Sequence, residues 1–402
     1  MAEVSAATPQ LLRRVNAAAV LGVMRVSDVV TVTELMDATG LTRATALAVC
    51  EDLMKRGWIR EIVAPRDQGM YQKGRPARRF ALAETAGFVL GVDVGALKVT
   101  VVVADLRGTT VSRASEPFRD MGISAEERIN TINRTALLAL DSAGASPSRV
   151  LAATVGVAAP VDRTGKILAS QQFWRQFDVG LRTALHNLHG WAVLLENDAN
   201  LAALGERWRG SAVGVDDLVV LLAGERLGAG LVENGRLLHG RHGAAGEMAY
   251  LNLVEGVGDT HGVAALVRLW AEEQLSLGVE SSLNEAATTQ AVSAEQVFEA
   301  AAAGDVVAVE MLERLAERLA RIVATVATIY NPELVVIGGA VAHSVAGMID
   351  AIAEKIPAHT ATPPQLTASP LGDAAVTIGA VRCALDYVEA HSLDLELVPA
   401  TG

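Results

Sequence analysis

The stretch 192–208 constrains the fold more than any other part of the chain, because it places a short polar cluster between an apolar run and a helical pattern. Residues 192–195 predict a buried strand, and apolar residues recur at helical spacing after the cluster. Asn197, Asp198 and Asn200 therefore lie at the carboxyl end of a strand, where ligands bind in open α/β sheets. A carboxylate between two carboxamides can orient and deprotonate a hydroxyl group there. The alternative is that the cluster only caps the helix, since Asp and Asn are preferred N-cap residues.

The length and composition indicate a multidomain intracellular protein. A chain of 402 residues is too long for one ordinary core, so we expect two or three domains. No apolar run reaches 18 residues and no basic region precedes an apolar one at the N-terminus, which disfavours membrane insertion and secretion. Cys50 and Cys383 lie at opposite ends of the chain, so neither a disulfide framework nor a cysteine metal site is expected. We expect a reducing cytoplasmic location.

Charge is distributed unevenly along the chain. The net charge is −12, yet residues 1–80 carry 12 Lys or Arg against 8 Asp or Glu. Only this N-terminal segment is therefore suited to a polyanionic partner.

The N-terminal segment has a helix-turn-helix pattern. Apolar spacing predicts helices over 9–25, 33–39 and 41–57, with the turn at Gly40. We expect Leu47, Cys50 and Met54 of the third helix to face the core. The residues expected to project outward, toward base edges and phosphates in the major groove, are Thr42, Arg43, Thr45 and Ala46.

A basic wing is predicted after these helices. Residues 58–63 and 79–82 read as two strands, and the loop between them contains Gly74, Arg75 and Pro76. Arg75 is placed to enter a minor groove, whose negative potential attracts guanidinium groups. The alternative is a solvated basic loop on a small protein-binding domain, but three helices, a glycine turn and a basic wing together favour DNA binding.

The rest of the chain alternates apolar strands with glycine-rich turns. One hairpin carries Asp93, Gly95 and Lys98, and a second covers 218–232. Such hairpins bind phosphate through backbone N–H groups in actin-like, or ribonuclease H-like, folds. A last strand is expected at 375–378, followed by a closing helix.

Asn197-Asp198, Gly246-Glu247 and the segment 331–339 resemble motifs of the ROK family, which groups sugar kinases with sugar-responsive transcriptional repressors. The resemblance implies that Asp198 matches the kinases' general base and that Asn197 and Glu247 bind the sugar. Trp174 falls where family members often carry an Asn-Trp pair that closes on the sugar. It is expected either to stack on a pyranose face or to be a half-buried core residue. Repressors of the family carry a winged helix with a Gly-Arg-Pro element, as this chain does at its N-terminus.

The chain departs from the kinase pattern at both phosphate loops. Ala96 and Leu97 replace a glycine and a threonine in the first, and Gly224-Glu225-Arg226 replaces Gly-Thr-Gly in the second. A carboxylate beside a polyphosphate argues against tight ATP binding unless Glu225 points away or Arg226 or Mg²⁺ intervenes. The residues that would bind nucleotide if the chain were a kinase are Asp93, Gly95, Lys98, Gly224, Gly338 and Gly339. The last two glycines are explained equally well by close helix–strand packing.

The family's cysteine-rich zinc sequence is absent, and 256–261 stands in its place. His239, His242 and His261 are the remaining candidates for a metal, but histidines in glycine-rich loops more often face solvent. We therefore expect no metal site and no cofactor, with MgATP required only if the kinase interpretation holds.

These observations predict an α/β protein with a two-lobed actin-like or ribonuclease H-like sugar-kinase body and an N-terminal winged helix-turn-helix domain. The expected ranges are 1–82 for the DNA-binding domain, 83–196 with 375–402 for the first lobe, and 197–374 for the second. We expect a homodimeric transcriptional regulator, most simply a repressor of sugar-metabolism genes, whose operator affinity changes when a sugar binds between the lobes. The alternatives are an active ATP-dependent sugar kinase with a DNA-binding appendage, and a regulator controlled by a protein partner. The sequence leaves open the sugar, the operator and the sign of the response.

Overall fold

The computed structural model describes residues 8–62, 78–249, 251–284 and 291–398. The chain divides into two compact units. The first unit comprises Met1–Val155, Val179–Leu194 and Val381–Gly402, and the second comprises Gly156–Asp178 and Leu195–Ala380. The three domain ranges expected from the sequence remain a proposal beside this division.

The elements of the described residues are numbered here in chain order. The α-helices are α1 (Pro9–Arg25), α2 (Val32–Thr39), α3 (Arg43–Lys55), α4 (Ala125–Ser142), α5 (Gln172–Arg175), α6 (Leu181–His189), α7 (Asp198–Arg209), α8 (Val263–Ser276), α9 (Ala294–Ala302), α10 (Val306–Tyr330), α11 (Ala342–Ala346), α12 (Ile349–Lys355) and α13 (Ala375–His391). The strands are β1 (Val30–Thr31), β2 (Ile59–Ile62), β3 (Arg79–Leu82), β4 (Phe88–Val94), β5 (Lys98–Ala104), β6 (Thr110–Pro117), β7 (Val150–Val157), β8 (Ala192–Asn197), β9 (Leu218–Leu222), β10 (Gly228–Glu233), β11 (Arg236–Leu237), β12 (Leu334–Gly338) and β13 (Gln365–Ala368).

The N-terminal helices and strands form a winged helix. Thr31 and Glu34 make a capping box that starts α2, and Gly40 ends it with a φ of 70°, a left-handed conformation that glycine adopts without strain. Helix α3 follows after two residues, and strands β1, β3 and β2 form an antiparallel sheet in that order. The helix-turn-helix with a small sheet that the sequence predicted is therefore present.

A five-stranded sheet follows, with the order β6-β5-β4-β7-β8. The hairpin β4–β5 is antiparallel, as expected, and every residue of β7 is buried. Because β7 and β8 are neighbours, the residues that follow them come together: the Asn197 side chain donates to the carbonyl oxygen of Ala159. This junction supports the candidate site.

The second unit contains a five-stranded sheet with the order β11-β10-β9-β12-β13, in which β9 pairs antiparallel with β10 and parallel with β12. Helix α10 packs on this sheet. Leu315, Leu319 and Val323 are fully buried and share one hydrophobic cluster with strand residues such as Val219 and Val335, and the partly buried Leu312 packs against that cluster. This core holds the loops that follow β9 and β12.

The predicted strand 375–378 is wrong, because these residues begin helix α13. A short β-branched run does not by itself distinguish a strand from a buried helix. Helix α7 crosses α13 so closely that a Cβ on Gly379 would meet the carbonyl of Leu201 and one on Gly205 would meet that of Ala375. Strand β13, at the edge of the sheet of the second unit, was not predicted from the sequence.

Among the described residues, no helix is both long enough and apolar enough to cross a membrane.

Candidate functional site

Asn197 is both the end of β8 and the N-cap of α7. Its side-chain oxygen accepts a hydrogen bond from the N–H of Asn200 at 3.1 Å, and its amide nitrogen donates to the Ala159 carbonyl at 3.2 Å. The side chain is 8% exposed. The capping role that was the alternative to a binding role is therefore present, and it fixes the orientation of the carboxamide.

Asp198 is the first residue of α7. Its carboxylate accepts a hydrogen bond from the N–H of Ala199 at 2.8 Å, and the side chain is half-buried. A negative charge at a helix N-terminus is stabilised by the helix dipole. The carboxylate is thus fixed at the first turn of α7.

A buried network behind this junction was not expected from the sequence. Glu196 accepts hydrogen bonds from the Asn197 N–H at 2.8 Å and from the Asn200 side chain at 2.9 Å, and its other oxygen lies 2.8 Å from Nε2 of His239. The hydrogen bond to Glu196 raises the pKa of His239, against the effect of burial. His239 is therefore a partner of Glu196 that helps to hold the polar cluster.

The residues present do not fit the family's zinc site. His261 lies beside Asp259, and His239 is engaged by Glu196. Among the described residues, no group of three or more His, Cys, Asp or Glu side chains is arranged to hold a metal ion. The loop at 257–261 is instead held by Arg318, whose guanidinium donates to the carbonyl oxygens of Val257, Asp259 and His261 at 2.7–2.9 Å.

Gly246 and Glu247 follow the second hairpin. Gly246 has a φ of 84°, and a Cβ on it would meet the carbonyl of Ala229, which belongs to β10. Only glycine allows this close approach. Glu247 is half-buried; burial raises its pKa to about 7, while the charge of Arg226 acts in the opposite direction.

One pocket in the second unit brings the predicted sugar-binding residues together. It encloses about 470 Å³, part of which is open to solvent. Its lining residues are Ala158, Phe173, Trp174, Asn197, Asp198, Leu222, Arg226, Leu227, Gly228, Glu247, Ala249 and Thr260. Trp174 is 7% exposed, so the residue is both largely buried and in contact with the pocket. The pocket thus combines an aromatic wall with polar groups that converge on it.

Glu225 lies in the loop between β9 and β10, and its carboxylate has a defined partner. Both oxygens of its carboxylate accept hydrogen bonds from Arg268 at 2.7 Å, which lowers the pKa of Glu225. Its charge is therefore paired with Arg268, which lies 43 positions away in the chain. Arg226 and Leu227 are the residues of this loop that line the pocket.

The residues expected to bind nucleotide in a kinase are distributed over both units. Asp93, Gly95 and Lys98 belong to the hairpin of the first unit, where the Gly95 N–H donates to the Lys98 carbonyl at 3.0 Å. Gly224, Gly338 and Gly339 belong to the second unit.

The glycine pair after β12 has a packing role. Gly339 has a φ of 93°, and the Gly338 carbonyl accepts a hydrogen bond from the Ala223 N–H at 3.1 Å. The pair therefore packs against the end of β9, and its contact with a nucleotide stays a prediction.

The start of α3 carries the residues expected to contact DNA. Thr42 is the N-cap, and its hydroxyl accepts a hydrogen bond from the Thr45 N–H at 3.3 Å. Arg43 is exposed at the first helical position. Ala46, however, is fully buried, so its prediction as an outward residue is wrong.

The reason is the phase of α3: its buried positions are Ala46, Cys50 and Leu53, whereas Leu47 and Met54 are only partly buried. Gly74, Arg75 and Pro76 lie outside the described residues, so their contact with a minor groove remains a prediction.

Comparison with known proteins places these features in a family. The model of the ROK family matches residues 89–386. A xylose repressor of Caldicellulosiruptor bescii is 25% identical over 82% of this chain and 84% of its own length. A glucokinase of Thermotoga maritima is 31% identical over 73% of this chain and 95% of its own length. A ROK family transcriptional regulator, a homologue of the E. coli MLC protein, superimposes with a TM-score of 0.76 at 22% identity over 95% of this chain and 98% of its own, and so shares its fold. The chain belongs to the ROK family.

Proposed function

We propose that this protein is a DNA-binding transcriptional repressor of sugar-metabolism genes, whose operator affinity changes when a sugar or sugar derivative occupies the pocket of the second unit. The observation that carries the proposal is the presence in one chain of a winged helix with an exposed Arg43 and a pocket lined by Asn197, Asp198 and Glu247. The match to a xylose repressor over 82% of the chain supports the same function.

The pocket has the chemistry of a carbohydrate site. The carboxylates of Asp198 and Glu247 accept hydrogen bonds from sugar hydroxyls, and the Asn197 carboxamide is held in place by its own two hydrogen bonds. Trp174 and Phe173 provide apolar surface for the C–H face of a pyranose ring. Binding then increases the population of the conformations that bind the sugar more tightly. If these conformations also differ in operator affinity, the sugar changes DNA binding.

DNA recognition rests on α3. The Thr42 cap leaves Arg43 at the solvent-exposed start of the helix, where a side chain reaches base edges or phosphates. One winged helix contacts too little DNA for high specificity, so the proposal includes a homodimer that reads two half-sites. A regulator of this kind acts in the cytoplasm, where Cys50 and Cys383 remain thiols.

The test begins with a preferred DNA sequence selected from a randomised pool with the full chain. Its Kd is then measured at fixed salt with and without a panel of pentoses, hexoses and N-acetylhexosamines. We expect at least one sugar to change the Kd for DNA about tenfold or more, because an allosteric effector usually changes the affinity for a second ligand by about 5–150-fold. Glu247→Ala is expected to abolish the response and leave basal DNA binding unchanged.

Glu233→Ala is the matched control, because Glu233 is an exposed carboxylate of the same unit outside the pocket. A full sugar response in Glu247→Ala would remove Glu247 from the effector site. Specific DNA binding that responds to no sugar would contradict the sugar-sensing part of the proposal and favour a protein-controlled regulator.

A second candidate, an ATP-dependent sugar kinase, is favoured by one observation: Asp198 lies in the pocket at a helix N-terminus, as a general base for a sugar hydroxyl would. MgATP would be its co-substrate. The test is ADP release from MgATP across the same sugar panel, with Asp198→Asn as the control. Turnover that is lost in Asp198→Asn would establish the kinase. Absence of turnover with intact DNA binding is the result that the repressor proposal expects.

A further inference from the structure

Arg226 is the cationic residue that lines the pocket, and its guanidinium has a defined position. The guanidinium carbon lies 4.4 Å from the centroid of the Phe173 ring, which also lines the pocket. Phe173 in turn packs edge-to-face against the buried Phe177, with 5.6 Å between ring centroids. This arrangement holds the planar guanidinium against an aromatic face.

The backbone that carries Arg226 is held by hydrogen bonds on both sides. The Leu227 N–H donates to the Thr260 carbonyl at 3.1 Å, and the Glu225 carbonyl accepts from the Gly262 N–H at 2.9 Å. Arg226 itself pairs with His261 in an isolated antiparallel bridge. The guanidinium therefore projects from a fixed loop between β9 and β10.

The neighbouring Glu225 does not form an ion pair with Arg226. The carboxylate of Glu225 is engaged by Arg268 through two hydrogen bonds of 2.7 Å. Within the part of the chain that the structure describes, Arg226 forms no ion pair with a carboxylate within 4 Å. Glu247 attracts it from a greater distance, and burial raises the pKa of Glu247 to about 7, so much of this carboxyl is protonated near neutral pH.

We infer that the effector is a sugar that carries an anionic group, a phosphate monoester or a carboxylate, which binds the Arg226 guanidinium while the sugar hydroxyls contact Asn197, Asp198 and Glu247. This inference rests on the proposed function and specifies the class of its effector. A planar guanidinium makes two parallel hydrogen bonds to a phosphate or carboxylate, a geometry that neutral hydroxyls do not match. A neutral effector would leave Arg226 as a solvated charge beside the pocket.

The experiment compares matched ligands in direct binding to the full chain. Calorimetric titration uses the neutral sugars of each series, their phosphate monoesters and the corresponding uronic acids, with inorganic phosphate as a ligand without a sugar. We expect an anionic sugar to bind about tenfold or more tightly than its neutral parent, as hydrogen bonds between charged groups usually allow. The phosphate and uronic acid arms decide which anion is recognised, and either preference supports the inference.

Three variants test the role of Arg226. Arg226→Gln is expected to bind the neutral and anionic forms equally. Arg226→Lys keeps the charge without the planar fork and is expected to retain part of the preference. Arg236→Gln, which changes an exposed arginine of the same unit outside the pocket, is expected to behave as the wild type.

Equal affinity of the wild type for neutral and anionic sugars would overturn the inference while the proposed function stands. A preference that survives in Arg226→Gln would also overturn it, because another group would then bind the anion. If no sugar of either kind binds, the proposed function fails together with the inference.

Discussion

The Thr42 cap places Arg43, the residue predicted to contact DNA, at the exposed start of α3. The cap fixes where α3 begins, and the first helical position is exposed. We expect Arg43→Ala to weaken operator binding about tenfold or more, because one base or phosphate contact contributes about 1–3 kcal/mol. Sugar binding should not change, since Arg43 lies outside the pocket.

The measurement for Arg43→Ala is the operator Kd at several salt concentrations, together with the sugar Kd. Arg119→Ala, in an exposed arginine of the body that is 75% accessible, serves as the control. An operator affinity equal to that of the wild type would exclude Arg43 from the DNA interface.

The raised pKa of Glu247 predicts that the stability of the protein depends on pH. Its pKa is raised from 4.5 to about 7 in the folded chain by burial, so the folded state retains a proton that the unfolded state has lost between these values. The contribution of the protonated carboxyl to stability is complete below pH 4.5 and is lost as the pH rises through 7. The wild type should therefore match Glu247→Gln in stability near pH 4.5 and be less stable at pH 8, by up to about 3 kcal/mol.

Urea unfolding of the wild type and Glu247→Gln at pH values from 4.5 to 8 checks this prediction. A constant difference in free energy of unfolding across that range would show that Glu247 titrates alike in the folded and unfolded chains.

At the scale of the element, helix α10 organises the loop that replaces the zinc sequence. Arg318 is 3% exposed and donates to three carbonyl groups of that loop, which carries Thr260 to the pocket. Arg318→Met keeps much of the side-chain volume but removes the donor of all three carbonyl groups, of which that of Val257 is buried. We expect a loss of about 2 kcal/mol or more in free energy of unfolding and a weaker sugar affinity.

Arg314→Met on the same helix is the comparison, because the exposed Arg314 contacts only the Trp270 ring among the interactions described, and about 0.5–1 kcal/mol is expected there. If Arg318→Met were no more harmful than Arg314→Met in urea unfolding, Arg318 would not organise the loop.

The crossing of α7 and α13 depends on two glycines. A Cβ on Gly379 would meet the Leu201 carbonyl, so Gly379→Ala forces the helices apart. We expect a loss of about 1–3 kcal/mol, despite the higher helix propensity of alanine. Gly347→Ala is a suitable control, because nothing lies within 4 Å of its added Cβ and its φ is −70°. A urea midpoint of Gly379→Ala at or above that of the wild type would contradict the close crossing.

At the scale of the whole molecule, the charge distribution concerns where on the chain DNA is attracted. Residues 1–80 carry a net charge of +4, whereas the remainder carries −16, so only the N-terminal segment is attracted to the phosphate backbone. We expect the free chain to sediment as a dimer and to protect two half-sites about one helical turn, or a multiple of it, apart. A monomer in solution that binds a single half-site with full affinity would contradict this expectation.

Local patterns predicted much of the fold because they act over a few residues. Helix α1 has the bounds expected from apolar spacing, and the junction after β8 has the cap expected from its Asn and Asp residues. The resemblance of short motifs also identified Asn197, Asp198, Glu247 and Trp174, which the structure brings to one pocket. Spacing and capping are properties of adjacent residues, so the sequence alone contains them.

Contacts between distant residues decided the rest. Glu225 is paired with Arg268, 43 positions away, and Arg318 holds a loop about 60 positions before it. The burial of Ala46 depends on the exact phase of α3 against its neighbours, and the helical state of 375–378 depends on the crossing with α7. The sequence by itself determined most of the elements, the helix-turn-helix, and Asn197, Asp198 and Asn200 of the polar cluster. Only the tertiary structure decided which charges are paired and which face the pocket, because electrostatic and packing energies depend on distances that the order of residues does not contain.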